Sequence, residues 1–291
     1  MHTRMKVVVA YDGSSYAIAA VEDLQRAALP SDSDVVVVSV VDLFEPSPPP
    51  SDFDLNSLVS RRVDAFLTTT REHENQVIDE TTASAAEVVE RLRERFPGWM
   101  VNYEVLRGNP EVELLRKAEE WQADLIVAGT RGRSAIGRFF LGSVSRTLAG
   151  NAACSVRVVS RAEAEPDGGP PRIIIGVRIP GNAERLVAAV KRRDWPADTS
   201  ARIVGVDGPA ASDAAAQGDL ERAAGMLRDA GLEVSVQVKS GDPTAAFLDE
   251  ADAWDADAIF IYGAAASAGW GLDEAAAGLV SGAQCPIEIV R

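Results

Sequence analysis

The chain has 291 residues, 46% of them hydrophobic and 25% charged, with a formal net charge of −15. That length accommodates two domains with separate cores, and the acidic balance excludes a nucleic-acid surface, which needs a basic stripe. No apolar run approaches the ~18 residues of a membrane span. No secretory h-region precedes the first strand. The two cysteines, Cys154 and Cys285, make no disulfide framework and read as small packing residues. A cytoplasmic protein is expected, with Met5 as an alternative start to Met1.

Lys6 to Tyr11 (KVVVAY) is a continuous β-branched run of the kind buried on both faces of a parallel sheet. Asp12-Gly13-Ser14 then caps a helix carrying Ile18, Val21 and Leu24 on its apolar face. Asp34 to Val41 is the second buried strand, so strand, helix and strand alternate, which predicts parallel pairing through right-handed crossovers. The segment from Asp42 to Asp54 is too rich in proline for regular structure. A long polar-faced helical region runs from about Leu55 to Phe96, with a break near His73 left open.

Met100 to Leu106 is the third strand, and Asn109-Pro110 opens a helix with Val112, Leu115 and Ala118 expected on its buried face. Asp124 to Ala128 is the fourth strand and Ser155 to Val159 the fifth. Residues 161–171 read as a linker. The pattern then restarts. Arg172-Ile-Ile-Ile-Gly-Val177 echoes Lys6 to Tyr11, and Ser240-Gly241-Asp242-Pro243 echoes Arg107-Gly108-Asn109-Pro110. Cys285-Pro286-Ile287 likewise echoes Cys154-Ser155-Val156. Echoes in the same order indicate an internal duplication, with domains at 1–160 and 172–291.

Between the fourth strand and the next helix lies Gly129-Thr-Arg131-Gly132, followed after nine intervening residues by Gly142-Ser143. Glycines let the backbone approach a ligand closely, and a helix start with its positive dipole end suits a phosphate. A tight strand-to-helix turn is the plainer alternative. Phe139 stands where a Walker loop needs Ser or Thr, and no G-x-G-x-x-G follows the first strand.

The spacing G-x2-G-x9-G-S after a fourth strand, with Asp12 after the first, resembles the ATP-binding loop of the universal stress protein family. The resemblance implies an α/β fold of the adenine nucleotide alpha-hydrolase-like kind. Two tandem doubly wound five-stranded parallel sheets, each in the order 3-2-1-4-5, would be flanked by helices. Ligands bind such sheets where the strand order switches, between the first and fourth strands.

The resemblance also implies site residues. Asp12 matches a carboxylate beside adenine and ribose, though alone it would serve as an N-cap. Val40 matches the position whose backbone reads the adenine edge, and Ala10 is counted with it; alone, Val40 would be a core valine. Gly129 and Arg131 match positions near the ribose. Gly132, Gly142, Ser143, Val144 and Ser145 match the phosphate cradle, although Ser145 alone would be a solvated helix serine. ATP is the expected ligand, with Mg²⁺ held through its phosphates; AMP or cyclic AMP would fit the same cleft. No dedicated protein metal site is expected, since His2 and His73 are too few and too far apart. The five tryptophans read as packing residues.

The second copy departs from the pattern. Arg178 stands for Asp12, and Asp273-Glu274 stands for Gly142-Ser143. A carboxylate about 4 Å from a phosphate costs about 4 kcal/mol at an effective dielectric of 20, more than the roughly 1 kcal/mol a helix dipole returns. One nucleotide per chain is therefore expected. In the family, domains pair through fifth strands, which implies a pseudo-dimer of the two copies and leaves a further homodimer open. The resulting expectation is a stress-response sensor or regulator rather than a dedicated enzyme, because Ser143 and Ser145 have no evident base beside them. Slow ATP hydrolysis and a nucleotide-independent interaction module are the rival readings. An ATP-pyrophosphatase is disfavoured, because Tyr11-Asp12-Gly13-Ser14-Ser15 is not an S-G-G-x-D-S loop.

Overall fold

The computed structural model describes residues 4–42, 57–130, 142–160, 169–179, 183–207, 214–263 and 274–291, with side chains left aside at 57–71, 73, 179, 207, 214–216 and 274–275. In the first half, β1 (Lys6–Ala10), α1 (Ser15–Asp23), β2 (Asp34–Val41), α2 (Ser57–Arg95) and β3 (Met100–Arg107) lead to α3 (Pro110–Glu120). β4 (Leu125–Gly129), α4 (Ser143–Asn151) and β5 (Ser155–Val159) complete it. The second half repeats the order as β6 (Arg172–Ile179), α5 (Ala183–Lys191), β7 (Ser200–Asp207), α6 (Ala214–Arg228) and β8 (Glu233–Ser240). It ends with α7 (Pro243–Trp254), β9 (Ala258–Tyr262), α8 (Glu274–Gly282) and β10 (Ile287–Val290).

Each half is a parallel five-stranded sheet, ordered β3-β2-β1-β4-β5 and β8-β7-β6-β9-β10, as the doubly wound reading expects. The two sheets do not end at their fifth strands. β5 pairs antiparallel with β10, in the register Val156 to Ile289 and Val158 to Ile287, making one ten-stranded sheet. This pairing covers two edges that would otherwise present unpaired backbone groups.

Strand residues alternate between the two faces. Val7 and Val9 pack under α1 with Ala17, Ala20 and Leu24, while Val8 packs under α3 and α4 with Leu114, Leu148 and Ala149. The second half has its own core beneath α5 and α6, around Ile173, Ile175, Leu186 and Ile203. On the opposite face a single core runs across both halves, joining Val8, Ile126, Val156, Ile289, Ile259 and Phe247. Burial of each such valine or leucine contributes roughly 1.5–3 kcal/mol.

Three details differ from expectation. α2 is continuous from Ser57 to Arg95, without a break near His73. The buried face of α3 is Leu114 and Ala118, with Leu115 beside them, whereas Val112 is 58% exposed. Residues 114 and 118 are four apart and share a face, and 112 lies on the other side of the helix. The first strand stops at Ala10, because the chain turns into the α1 cap at Gly13, whose φ is +76°.

Candidate functional site

β1 is hydrogen-bonded to β2 on one side and to β4 on the other. Its register with β2 continues to Ala10 opposite Val38, but its register with β4 stops at Val9 opposite Val127. The chain leaves these strands toward opposite faces, α1 to one and α4 to the other, so a crevice opens at their carboxyl ends.

The crevice has an apolar floor. Ala10, Val40, Leu106 and Val144 are all partly buried and pack against the core beneath α3 and α4. Val40 and Leu106 sit opposite each other on β2 and β3. Four elements therefore each bring a partly buried apolar residue onto the same core, of a kind that suits a flat hydrophobic ring system.

One wall is the turn from β1 into α1. Asp12 Oδ1 accepts the Ser14 N–H at 2.9 Å, and Ser14 Oγ accepts the Ala17 N–H at 3.1 Å. Ser14 is thus the helix cap, and Asp12 braces it while remaining only partly buried.

The other wall joins β4 to α4. The Thr130 N–H donates to the Val159 carbonyl at 2.9 Å, and the Thr130 carbonyl accepts the Gly142 N–H at 2.7 Å. The backbone therefore closes the base of the loop between Thr130 and Gly142. Gly142 is the N-cap of α4 and makes no side-chain cap, so among the described residues no side chain of the cap position takes up the first-turn N–H groups, which suit an anion. Ser143 is exposed. Ser145 is buried, and its hydroxyl donates to the Gly129 carbonyl at 2.5 Å, which ties the start of α4 to the end of β4. Gly129 is required by packing: a Cβ there would lie 2.5 Å from the Tyr16 carbonyl oxygen of α1.

Ala10, Asp12, Val40, Gly129, Gly142, Ser143, Val144 and Ser145 thus lie at or beside one end of the first sheet. Arg131 and Gly132, with Arg133 and Arg138, fall outside the described residues. Sequence reasoning missed Thr130, Leu106 and Tyr16. Thr130 directly precedes the candidate loop, and Leu106 is an apolar residue at a strand's carboxyl end, so position alone offered a signal for both. Nothing in the sequence points to Tyr16, whose carbonyl and Cβ make the contact.

The corresponding end of the second half differs. Arg178, near the end of β6, is exposed, and Tyr262 takes the place of Gly129 at the end of β9. Arg185 Nη1 donates to the Tyr262 hydroxyl at 3.1 Å, with its guanidinium 5.3 Å from the ring centre. Glu274 opens α8, while Asp273 and the loop at 264–272 fall outside the described residues.

Among the described residues no group of three or more His, Cys, Asp or Glu side chains could hold a metal ion. Burial pushes the Cys154 thiol up to about 11 and the Cys285 thiol to about 12, so both are protonated at neutral pH and poor nucleophiles. Among the described residues no helix is long and apolar enough to cross a membrane.

Comparison with known proteins gives a consistent result. The profile of the universal stress protein family matches residues 3–160. A universal stress protein of Methanocaldococcus jannaschii is 30% identical over 162 residues, covering 55% of this chain and 84% of that protein. A universal stress protein structure from Archaeoglobus fulgidus matches with a TM-score of 0.65 at 19% identity, covering 98% of both chains. A structure described as a putative universal stress protein of Pseudomonas aeruginosa matches with a TM-score of 0.59 at 10% identity, over 99% of this chain and 93% of that one. The fold is therefore shared over the full length, both halves included.

Proposed function

This chain belongs to the universal stress protein family, and on that premise we propose that its first half binds one adenine nucleotide, ATP, as a stress-response sensor or regulator. The observation that carries the proposal is the start of α4 at Gly142, without a side-chain cap, at the same end of the sheet as the partly buried Ala10, Val40, Leu106 and Val144. The two surfaces match the two ends of a nucleotide. The base lies on the apolar floor, and the phosphates meet the N–H groups that follow Gly142. Asp12 accepts hydrogen bonds from the nucleoside, and Arg131 and Gly132 complete the ribose and phosphate contacts.

Mg²⁺ fits this reading as a partner of the phosphates, held by their oxygens and by water rather than by a protein cage. The chain acts as a cytoplasmic sensor whose turnover of ATP is slow, because Ser143 and Ser145 have no base beside them among the described residues. The second half, residues 172–291 beyond a linker at 161–171, binds no nucleotide and serves as a built-in partner for the first. Arg178 and Tyr262 in place of Asp12 and Gly129 support that assignment.

The test is release of bound nucleotide by denaturation of the purified chain, followed by calorimetric titration of ATP, ADP, AMP and cyclic AMP. The comparison variant is Gly142→Asp. Gly142 has φ −61° and ψ 153°, which any residue adopts, and aspartate is a favourable N-cap. The variant's backbone is therefore unstrained at this position, and a Tm equal to the parent's checks its folding, while the substitution places a carboxylate against the phosphates. A loss of about 4 kcal/mol, near a thousandfold in affinity, is expected. One ATP per chain in the parent and none in the variant supports the proposal. Preference for cyclic AMP or AMP would change the ligand, and two equivalent sites per chain or undiminished binding by Gly142→Asp would overturn it.

A further inference from the structure

The antiparallel junction of the halves places Arg157 of β5 directly opposite Glu288 of β10. Both are buried, and Arg157 Nη1 donates to Glu288 Oε2 at 3.4 Å. Each carries one further partner from its own half. Arg157 donates to both carboxylate oxygens of Asp23, at 2.5 and 3.0 Å, and Arg193 donates to Glu288 Oε1. Arg193 also crosses the junction to donate to the Ala27 carbonyl at 2.8 Å. The four side chains form an alternating line, Asp23–Arg157–Glu288–Arg193, through the centre of the junction.

The repeat numbering makes this line asymmetric in a specific way. Twenty residues separate Lys6 from Arg26 and Arg172 from Arg192, so Asp23 corresponds to Ala189 and Ala27 to Arg193. Arg157 corresponds to Glu288. At each of these three paired positions one half carries a charge and the other carries alanine or the opposite charge. Two copies of the first half meeting through β5 would set Arg157 against Arg157 and leave the place of Arg193 to Ala27. Two copies of the second half would set Glu288 against Glu288 and bring Arg193 against Arg193. Among the described residues the Arg193 Nε is also a buried nitrogen without a hydrogen-bond partner, a cost that a junction built for stability alone would avoid.

We propose that this buried four-charge line is a pairing code: it makes the fifth strand of the first half accept only the fifth strand of a second half, and it forbids like-with-like assembly. The partner it fits is the complementary half, in the same chain as built here or in another copy if the halves exchange. The apolar residues of the junction, Val156, Val158, Ile287 and Ile289, are similar in both strands and carry no such discrimination.

The test uses full-length chains. In the first variant Arg193→Asp and Glu288→Arg reverse the two charges that the second half contributes to the line. In the second variant Asp23→Arg and Arg157→Glu reverse the two that the first half contributes. Each variant alone then sets like charges against each other across the junction, and each is expected to lose about 10 °C in Tm and to open there, which scattering reads as a larger radius. Mixed together, the two variants contain complementary halves in different chains, and a one-to-one heterodimer of twice the chain mass is expected. The chain carrying all four substitutions restores alternation and is expected to recover the parent Tm and remain monomeric.

Closed monomers with unchanged Tm for both double variants, or a mixture that forms no heterodimer from folded chains, would overturn the code. Should the double variants fail to accumulate, the fourfold variant decides. Recovery supports the proposal, and failure of that variant as well overturns it.

Discussion

Arg192 of the second half donates to Asp124 of the first at 2.8 Å, and the two-fold mate of this contact joins Arg26 to Asp257 at 2.5 Å. Both aspartates use their other oxygen in the same way, accepting at 2.8 Å the N–H that opens the first strand of their own half, Lys6 or Arg172. Each carboxylate therefore ties a strand start to the opposite half. The duplication is preserved here down to individual atoms, whereas it is broken at Arg157 and Glu288.

The two mates differ in burial. Arg26 and Asp257 side chains are 28% and 18% exposed, against 53% and 27% for Arg192 and Asp124. Arg26→Ala is expected to cost about 1–2 kcal/mol and Arg192→Ala no more than about 1 kcal/mol, because water screens the more exposed pair. Thermal unfolding of the two variants, repeated at high salt, checks the order; a larger cost for Arg192→Ala would refute it.

Gly129→Ala should be destabilising although φ there is unremarkable. The added Cβ meets the Tyr16 carbonyl oxygen at 2.5 Å, and helix backbone yields less readily than a side chain. A cost of roughly 1–3 kcal/mol is expected, and with it weaker nucleotide binding, since Ser145 hangs on the Gly129 carbonyl. Calorimetry on the purified variant reads both effects, and a Tm equal to the parent's would refute the packing argument.

Asn109 and Asp242 cap the corresponding helices α3 and α7, each followed by proline. Asn109 Oδ1 accepts from Glu111 N and Val112 N, while Asp242 Oδ1 accepts from Ala245 N. Replacing either with alanine should lower stability by about 0.5–2 kcal/mol, measured by chemical denaturation. Gain of stability in either variant would contradict the cap.

Alkaline pH should weaken the fold through its thiols. Cys285 is raised from 9.0 to about 12 and Cys154 to about 11, in both cases by burial first. Above pH 9 the unfolded chain releases these protons while the folded chain keeps them. The unfolded state then binds fewer protons, so stability falls as pH rises, by about 1.4 kcal/mol per unit for each thiol until its folded value is reached. Below pH 9 the thiols have no effect. Cys285→Ala should flatten the stability profile between pH 9 and 12 relative to the parent; parallel profiles would remove the thiol from the explanation. Neither cysteine should react with thiol reagents at neutral pH until the chain unfolds.

Much of the molecule was legible in the linear sequence because parallel strands buried on both faces must be continuous apolar runs. Lys6 to Ala10, Asp34 to Val41 and Leu125 to Gly129 announce themselves in this way, and the repeated Asn109-Pro110 and Asp242-Pro243 caps mark the duplication. The crevice at the end of β1 followed from strand order. Less legible was the buried face of α3, because Val112, Leu114, Leu115 and Ala118 are all small or apolar and only packing selects among them. Thr130 and Tyr16 were hidden because they act chiefly through backbone atoms, which residue type does not reveal.

The sequence by itself determined the class of fold, the two repeats and the position of the glycine-rich turn, since each rests on local periodicity and spacing. Tertiary structure alone decided that Arg157 meets Glu288, that Arg193 reaches Ala27, and that Gly129 is glycine because α1 crosses above it. Each of these contacts joins residues more than about a hundred positions apart. No local pattern encodes them, because their energies depend on burial and on partners that exist only after the two halves have met.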